Sequence, residues 1–167
     1  CGSSYDENNF DTILWQINSE GHQIIYGEDI YDGINDFGNY AHQTMDGGYI
    51  LLGTFNDSIH LIKLNHNGTI DATFGTDGIV IITECNEGIY TQQFDDGSYI
   101  VVGNTKEGIG QRSNVYINTI TPSGIVNAEF TIGGTYIDKV QSIMQTSDGG
   151  YVFTGYKYNH HLKKMFG

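Results

Sequence analysis

QTMDGGYILLG (43–53), QFDDGSYIVVG (93–103) and QTSDGGYVFTG (145–155) share one pattern: a polar stretch reaches Asp-Gly, turns, and leaves as an apolar strand ending at glycine. The turn aspartates Asp46, Asp96 and Asp148 stand 50 and 52 residues apart. A period of that length belongs to radially repeated or stacked β units rather than to a single irregular domain. Past the turn the strands read Tyr49-Ile50-Leu51-Leu52, Tyr99-Ile100-Val101-Val102 and Tyr151-Val152-Phe153-Thr154. A short apolar run bounded by glycines fits a strand covered on both faces better than one with a wet face.

Between these hairpins lies a second kind: ILWQINSEGHQIIYG (13–27), LIKLNHNGTIDATFG (61–75) and YINTITPSGIVNAEF (116–130). Each turns at a polar stretch ending in Gly21, Gly68 or Gly124, where glycine permits positive φ. With the Asp-Gly hairpin as AB and the second as CD, the chain reads CD 13–27, AB 38–55, CD 59–75, AB 88–103, CD 114–130, AB 138–155. The repeats thus fill 12–158, with a polar leader at 1–11 and a tail or the start of a next strand at 159–167. The expected fold is all-β: about three four-stranded antiparallel units, offset by half a unit at the ends.

Composition agrees, since 22 Ile, 7 Val and 15 Thr face only 3 Ala and 6 Leu, which predicts almost no helix. The net charge of −13 repels phosphate backbones and anionic membranes, which argues against nucleic acid as a partner. The aliphatic run Ile79–Ile82 is too short to cross a bilayer, which takes roughly 20 residues. The first nine residues, CGSSYDENN, are polar, so any export signal is expected to have been removed already.

The stretch LIKLNHNGTIDATFGTDGIV (61–80) resembles the delta-60 type of bacterial β-propeller repeat. GINDFGNYAHQTMDGGYILLG (33–53) and TYIDKVQSIMQTSDGGYVFTG (135–155) are similar to the related DGGY-type pattern. The resemblance spans roughly residues 10 to 158. It implies a propeller of four-stranded blades in secreted or surface-attached bacterial proteins, serving as scaffold or binding surface, with no common catalytic residues. Closed propellers typically need about four to eight blades, so three units call for further blades of a longer chain, a second copy closing a ring, or an open filament.

Candidate sites follow from the same map. Cys1, ahead of Gly2-Ser3-Ser4, is similar to the acylated first residue of a bacterial lipoprotein or else a fragment boundary. Cys85 follows an apolar run and reads as a small filler near a strand end, with His42, His60 and His66 making no nucleophile motif with it. Asp46, Asp96 and Asp148 read as turn-holders in preference to calcium ligands. Asp32, Asn35 and Asp36 form an oxygen-rich stretch without calcium-loop spacing. Gln43, Gln93 and Gln145 recur three residues before each turn aspartate, placed to line a channel and bind a small polar ligand or to stitch neighbouring units. Tyr49, Tyr99 and Tyr151 read as packing, leaving Tyr5, Tyr31, Tyr156 and Tyr158 for a binding surface.

The sequence therefore points to a non-enzymatic extracellular or cell-surface module, structural or interacting, that completes its fold with more of its own kind. No cofactor is expected; the competing expectation is a glycan- or small-ligand-binding propeller, the one reading under which calcium could take part. A hydrolase or lyase would need an acid/base pair from carboxylates such as Glu28, Asp29, Asp32 and Asp36, whose spacing does not recommend it.

Overall fold

A computed structural model describes residues 2–5, 10–27, 37–105, 113–134 and 137–158. Cys1, Glu28, Asp29, Tyr31, Asp32, Asn35, Asp36 and the 159–167 tail lie outside them. Among the described residues there is no helix, and thirteen strands form four open antiparallel sheets.

The first sheet holds β1 (Gly2–Tyr5), β2 (Phe10–Ile17) and β3 (Gln23–Gly27). The second runs in chain order through β4 (Phe37–Gln43), β5 (Tyr49–Phe55), β6 (Ser58–Leu64) and β7 (Ile79–Ile82). The third repeats that order with β8 (Cys85–Gln93), β9 (Tyr99–Thr105), β10 (Val115–Ile120) and β11 (Val126–Ile132). The fourth pairs β12 (Ile137–Gln145) with β13 (Tyr151–Tyr158). Two complete four-stranded sheets thus stand between two partial ones.

Three hydrophobic layers glue the sheets in chain order. Ile50, Leu52, Ile59, Leu61, Val80 and Ile82 of the second sheet share a core with Cys85, Tyr99, Val101 and Tyr116 of the third. On the opposite face of the second sheet, Leu51, Ile62 and Leu64 pack with Leu14 of the first. On the far face of the third, Ile100 and Val102 pack with Val140 and Ile143 of the fourth. Successive residues of β5 and β9 therefore face opposite cores, as the period of two in a strand requires.

Six hairpin turns share one backbone design. In each, the residue entering the turn exchanges two backbone bonds across it, as in Thr44 N to Gly48 O (3.0 Å) and Gly47 N to Thr44 O (2.9 Å), or Asn65 N to Thr69 O (2.8 Å) and Gly68 N to Asn65 O (3.0 Å). The third loop residue is a glycine with φ between 80° and 86°, at Gly21, Gly47, Gly68, Gly97, Gly124 and Gly149. This is the three-residue hairpin whose glycine takes the left-handed position. The A strands are also alike: β4, β8 and β12 share a bulge at the same repeat position, between Gly38 and Tyr40, Gly88 and Tyr90, and Val140 and Ser142, and β8 has a second one between Cys85 and Glu87.

Three boundaries differ from expectation. The hairpin expected to end at Gly75 extends to Ile82, because Asp71–Gly78 is a compact excursion and not a strand. Asp71 Oδ1 accepts from Thr73 N and Oγ1 at 3.1 and 2.6 Å, Phe74 turns inward to 2% exposure, and Gly75, Asp77 and Gly78 all have positive φ. Cys85 opens β8 after a Thr83-Glu84 turn, so the AB pair starts before residue 88. Of the residues read as a leader, Gly2–Tyr5 form β1 and pair with Phe10–Ile13.

The double-sided core sets a measurable contrast. Leu52→Ala, at 0% exposure, is expected to lower the unfolding free energy by about 2–5 kcal/mol. Ile81→Ala, at 53% exposure on β7, should stay within about 0.5 kcal/mol of the parent in the same urea titration.

Candidate functional site

Because each complete sheet is an up-and-down meander, its AB and CD turns fall at the same end. That end gathers the aspartates and glutamines singled out in the sequence.

The aspartates hold their turns. Asp46 Oδ1 accepts from Thr44 Oγ1 at 2.5 Å and Gly48 N at 3.0 Å. Asp96 Oδ1 accepts from Ser98 N and Oγ at 2.9 and 2.6 Å, and Asp148 Oδ1 accepts from Thr146 Oγ1 and, at 3.2 Å, from Gly150 N. The Asp96 carboxyl is lowered by its bonds from Ser98, and the Asp148 carboxyl by those from Thr146 and Gly150. These oxygens point into their own loops, which is the turn role expected of Asp before Gly. Among the described residues, no three His, Cys, Asp or Glu side chains gather as metal ligands.

Asp46 differs from its two counterparts. Its second oxygen accepts from Lys63 Nζ at 2.8 Å, and the Lys63 side chain is only 6% exposed while that of Asp46 is 60% exposed. Burial raises the Asp46 carboxyl, but the bonds from Lys63, Thr44 and Gly48 outweigh it and hold it down at about 2. Lys63 sits in LIKL, opposite Ile50 on β5. Its sequence signal was a lysine on the face that carries Leu61, and a charge there demands a partner.

The glutamines act as stitches between sheets. Gln93 Oε1 accepts from Met45 N of the preceding turn at 2.8 Å, while its Nε2 donates to Gly97 O at 3.2 Å and Tyr99 Oη at 3.1 Å. Gln145 Oε1 accepts from Gln92 Nε2 at 2.9 Å, joining the third and fourth sheets. Gln43 is exposed and donates to Gly47 O at 3.4 Å. Of the two uses open to these amides, Gln93 and Gln145 make the inter-sheet one.

Two further amides went unnoticed in the sequence. Buried Asn104 accepts from Val140 N at 2.9 Å and donates to Val140 O at 3.1 Å, clasping the bulge of β12. Asn39, in the bulge of β4, donates to Gly88 O at the bulge of β8 over 2.9 Å. Neither belongs to a motif; only three-dimensional proximity of the bulges gives them their role.

The tyrosines at the repeat position face the preceding sheet, and Tyr49 Oη donates to Gln16 Oε1 at 2.8 Å. The rings of Tyr40 and Tyr90 meet at a tilt of 56° with centroids 5.2 Å apart, and burial, then the neighbouring Tyr40 and Tyr151, raises the Tyr90 phenol. Tyr156 is 49% exposed on β13. Cys85 is fully buried, and burial reinforced by Glu84 pushes its thiol up to about 12, so it remains a protonated core filler. Buried His60 has its imidazole lowered by desolvation and lies edge-on to Phe55, 5.1 Å away. An open groove of about 660 Å³ runs along β7, with Thr76, Asp77 and Ile81 on one wall and Ile125 on the other.

The Asp46–Lys63 pair gives a pH test. The depressed carboxyl stabilises the fold above the ordinary value of 3.8, and that contribution is lost as pH falls toward about 2. Asp46→Asn should therefore flatten the acid limb of stability over that window. At pH 7 it should cost about 1 kcal/mol, a figure kept low because the carboxylate is largely in water. Urea midpoints at pH 7, 4 and 2.5 check both statements.

No protein-family model matches the chain, and no curated protein or solved structure is significantly similar to it.

Proposed function

We propose that this chain is a non-enzymatic repeat scaffold of the β-propeller type, with an extracellular or bacterial cell-surface role, which completes its fold through further strands of its own kind. The observation that carries this reading is the contrast between inner and outer sheets. The second and third sheets bury apolar residues on both faces. The outer face of the first leaves Trp15 and Ile17 at 58% and 64% exposure, and that of the fourth leaves Met144 and Val152 at 62% and 48%. Phe130 and Ile132 on β11 are likewise 58% and 52% exposed, on the side where, among the described residues, the fourth sheet holds β12 and β13 alone.

Apolar surface of this kind marks contact with another protein surface. The turn-end polar groups support the scaffold reading because they are largely spent on holding turns and neighbouring sheets. The extracellular or cell-surface location in this proposal rests on the resemblance of the repeats to those of bacterial surface proteins. The groove beside β7 favours a second reading, a small-ligand- or glycan-binding propeller, for which a glycan array with and without chelator is the test.

Sedimentation velocity tests the scaffold reading. The chain is expected to sediment well above its 18.5 kDa monomer at tens of micromolar. Ile17→Lys combined with Met144→Lys should return it to monomer with unchanged β circular dichroism. A stable native monomer across that range overturns self-completion.

A further inference from the structure

The seam between the second and third sheets, both of them complete, ends at the outer edge of β7 in the groove of about 660 Å³. The turn Thr76-Asp77-Gly78-Ile79 sets its geometry. Thr76 N donates to Ile79 O at 2.9 Å and Ile79 N to Thr76 O at 3.0 Å, around Asp77 and Gly78 with φ of 50° and 90°. This is a two-residue hairpin turn of the primed type. Ile79 thus spends its N–H and C=O on the outer side of β7, while Gly78 O accepts from Lys63 N of β6 at 3.0 Å on the inner side. Such groups alternate along an antiparallel strand, so Val80 and Ile82 turn theirs toward β6 and Ile81 turns its N–H and C=O outward.

The segment before Thr76 does not run on along this edge. Phe74 turns inward to 2% exposure, and Gly75 N donates to Ser123 O of the third sheet at 2.9 Å. A Cβ at Gly124 would lie 2.3 Å from Gly75 N, so the two backbones touch and close the turn end of the groove. Among the described residues no strand pairs with β7 on its outer side. Ile81 stands there at 53% exposure, with Ile125 at 63% on the opposite wall and Val126 at 43% beside it. An uncovered strand edge flanked by apolar side chains is a template for strand addition.

Charge selects the occupant. Asp77 is exposed at one end of β7, and Glu84, just past the other end, is exposed as well, with Glu129 of β11 close by. Glu129 accepts from the buried Tyr116 Oη, and burial, then Glu129 and Glu84, push the Tyr116 phenol up, which puts both carboxylates at the same end of the groove. No Lys or Arg is among the residues that line it, and the whole chain carries −13. Carboxylates at both ends of an apolar strand edge complement an extended segment with a basic residue at each end and branched residues between. At about 3.3 Å per residue, a segment of about six residues spans the distance.

We infer that the outer edge of β7 takes an extended basic segment of a partner protein by strand addition. The segment pairs with the N–H and C=O of Ile81, packs an apolar side chain between Ile81 and Ile125, and sets its Lys or Arg side chains against Asp77 and against Glu84 with Glu129. The inference goes beyond the scaffold reading by naming a partner and its chemistry. It does not depend on self-completion, whose apolar surfaces lie on the first and fourth sheets and on β11.

The probe is the capped peptide Lys-Thr-Ile-Thr-Val-Lys, titrated into the whole chain, with amide hydrogen exchange read by NMR. Without peptide the Ile81 amide should exchange fast while those of Val80 and Ile82 are protected, and saturating peptide should protect Ile81. Asp77→Asn, which suits the same turn, combined with Glu84→Gln should weaken binding about fivefold to tenfold. The peptide with Glu in place of both Lys, or with alternate amides N-methylated, should not bind. Absence of saturable binding up to about 1 mM overturns the inference. So does equal binding of the acidic peptide, or binding that leaves the Ile81 amide unprotected. Ile81 protected without peptide also overturns it: at every protein concentration, the edge is covered from within the chain; only at high concentration, the occupant is a second copy. In the chain carrying Ile17→Lys and Met144→Lys, equal peptide affinity is expected whatever happens to self-association, and loss of binding there overturns the assignment to this edge.

Discussion

A strand with no wet face can exist only between two other layers, and the whole molecule follows from that constraint. Leu51 sends its side chain toward the first sheet while Ile50 and Leu52 send theirs toward the third, all at 0% exposure. Neither sheet of a two-layer sandwich could supply such strands, because a sandwich keeps one face of each sheet in water. The sheets must stack in a row, and a row has ends. Unless it closes on itself or meets another molecule, the last layer at each end carries apolar residues into water, as Trp15 and Val152 do.

Stacking alone leaves neighbouring sheets free to slide, since aliphatic layers of Ile, Leu and Val interdigitate in more than one offset. The bulges remove that freedom. Each A strand kinks at the same repeat position, which frees local backbone groups from the ladder. Asn39 and Asn104 reach those groups from an adjoining sheet, at Gly88 O and at both backbone atoms of Val140. The same kink brings backbone against the B strand, which is why Gly103 and Gly155 tolerate no Cβ. Bulge, amide and glycine are one device, repeated.

Much of this was legible because repetition amplifies a weak local signal. A single TMDGG says turn; three of them at nearly equal spacing, with Tyr and an apolar run after each, say repeated sheet. The six turn glycines and the two-sided strands were visible for the same reason. The excursion at 71–78 was not, because IDATFG has the alternation and branched residues of a strand, and only the Asp71 turn and the positive φ of Gly75, Asp77 and Gly78 forbid it. At the turn end, the aspartates declared themselves through their Asp-Gly context. Lys63 did not, because its partner Asp46 is 17 residues away across two strands. Asn104 was hidden by the same kind of distance, 36 residues from the backbone it clasps.

The positions that do not repeat carry a separate argument. Gln16, Lys63 and Thr119 occupy one C-strand place in three sheets, as Tyr49, Tyr99 and Tyr151 occupy one B-strand place in the sheets that follow. Gln16 bonds Tyr49 directly, Lys63 turns to Asp46, and neither Thr119 Oγ1 nor Tyr151 Oη bonds another protein group. The third seam relies instead on Asn104 and on the Gln92–Gln145 bond. Apolar layers that resemble one another would accept any neighbour, whereas a buried amide or ammonium accepts only the surface that satisfies it. Repeated residues therefore build the sheets, and the unrepeated polar ones decide which sheet lies beside which.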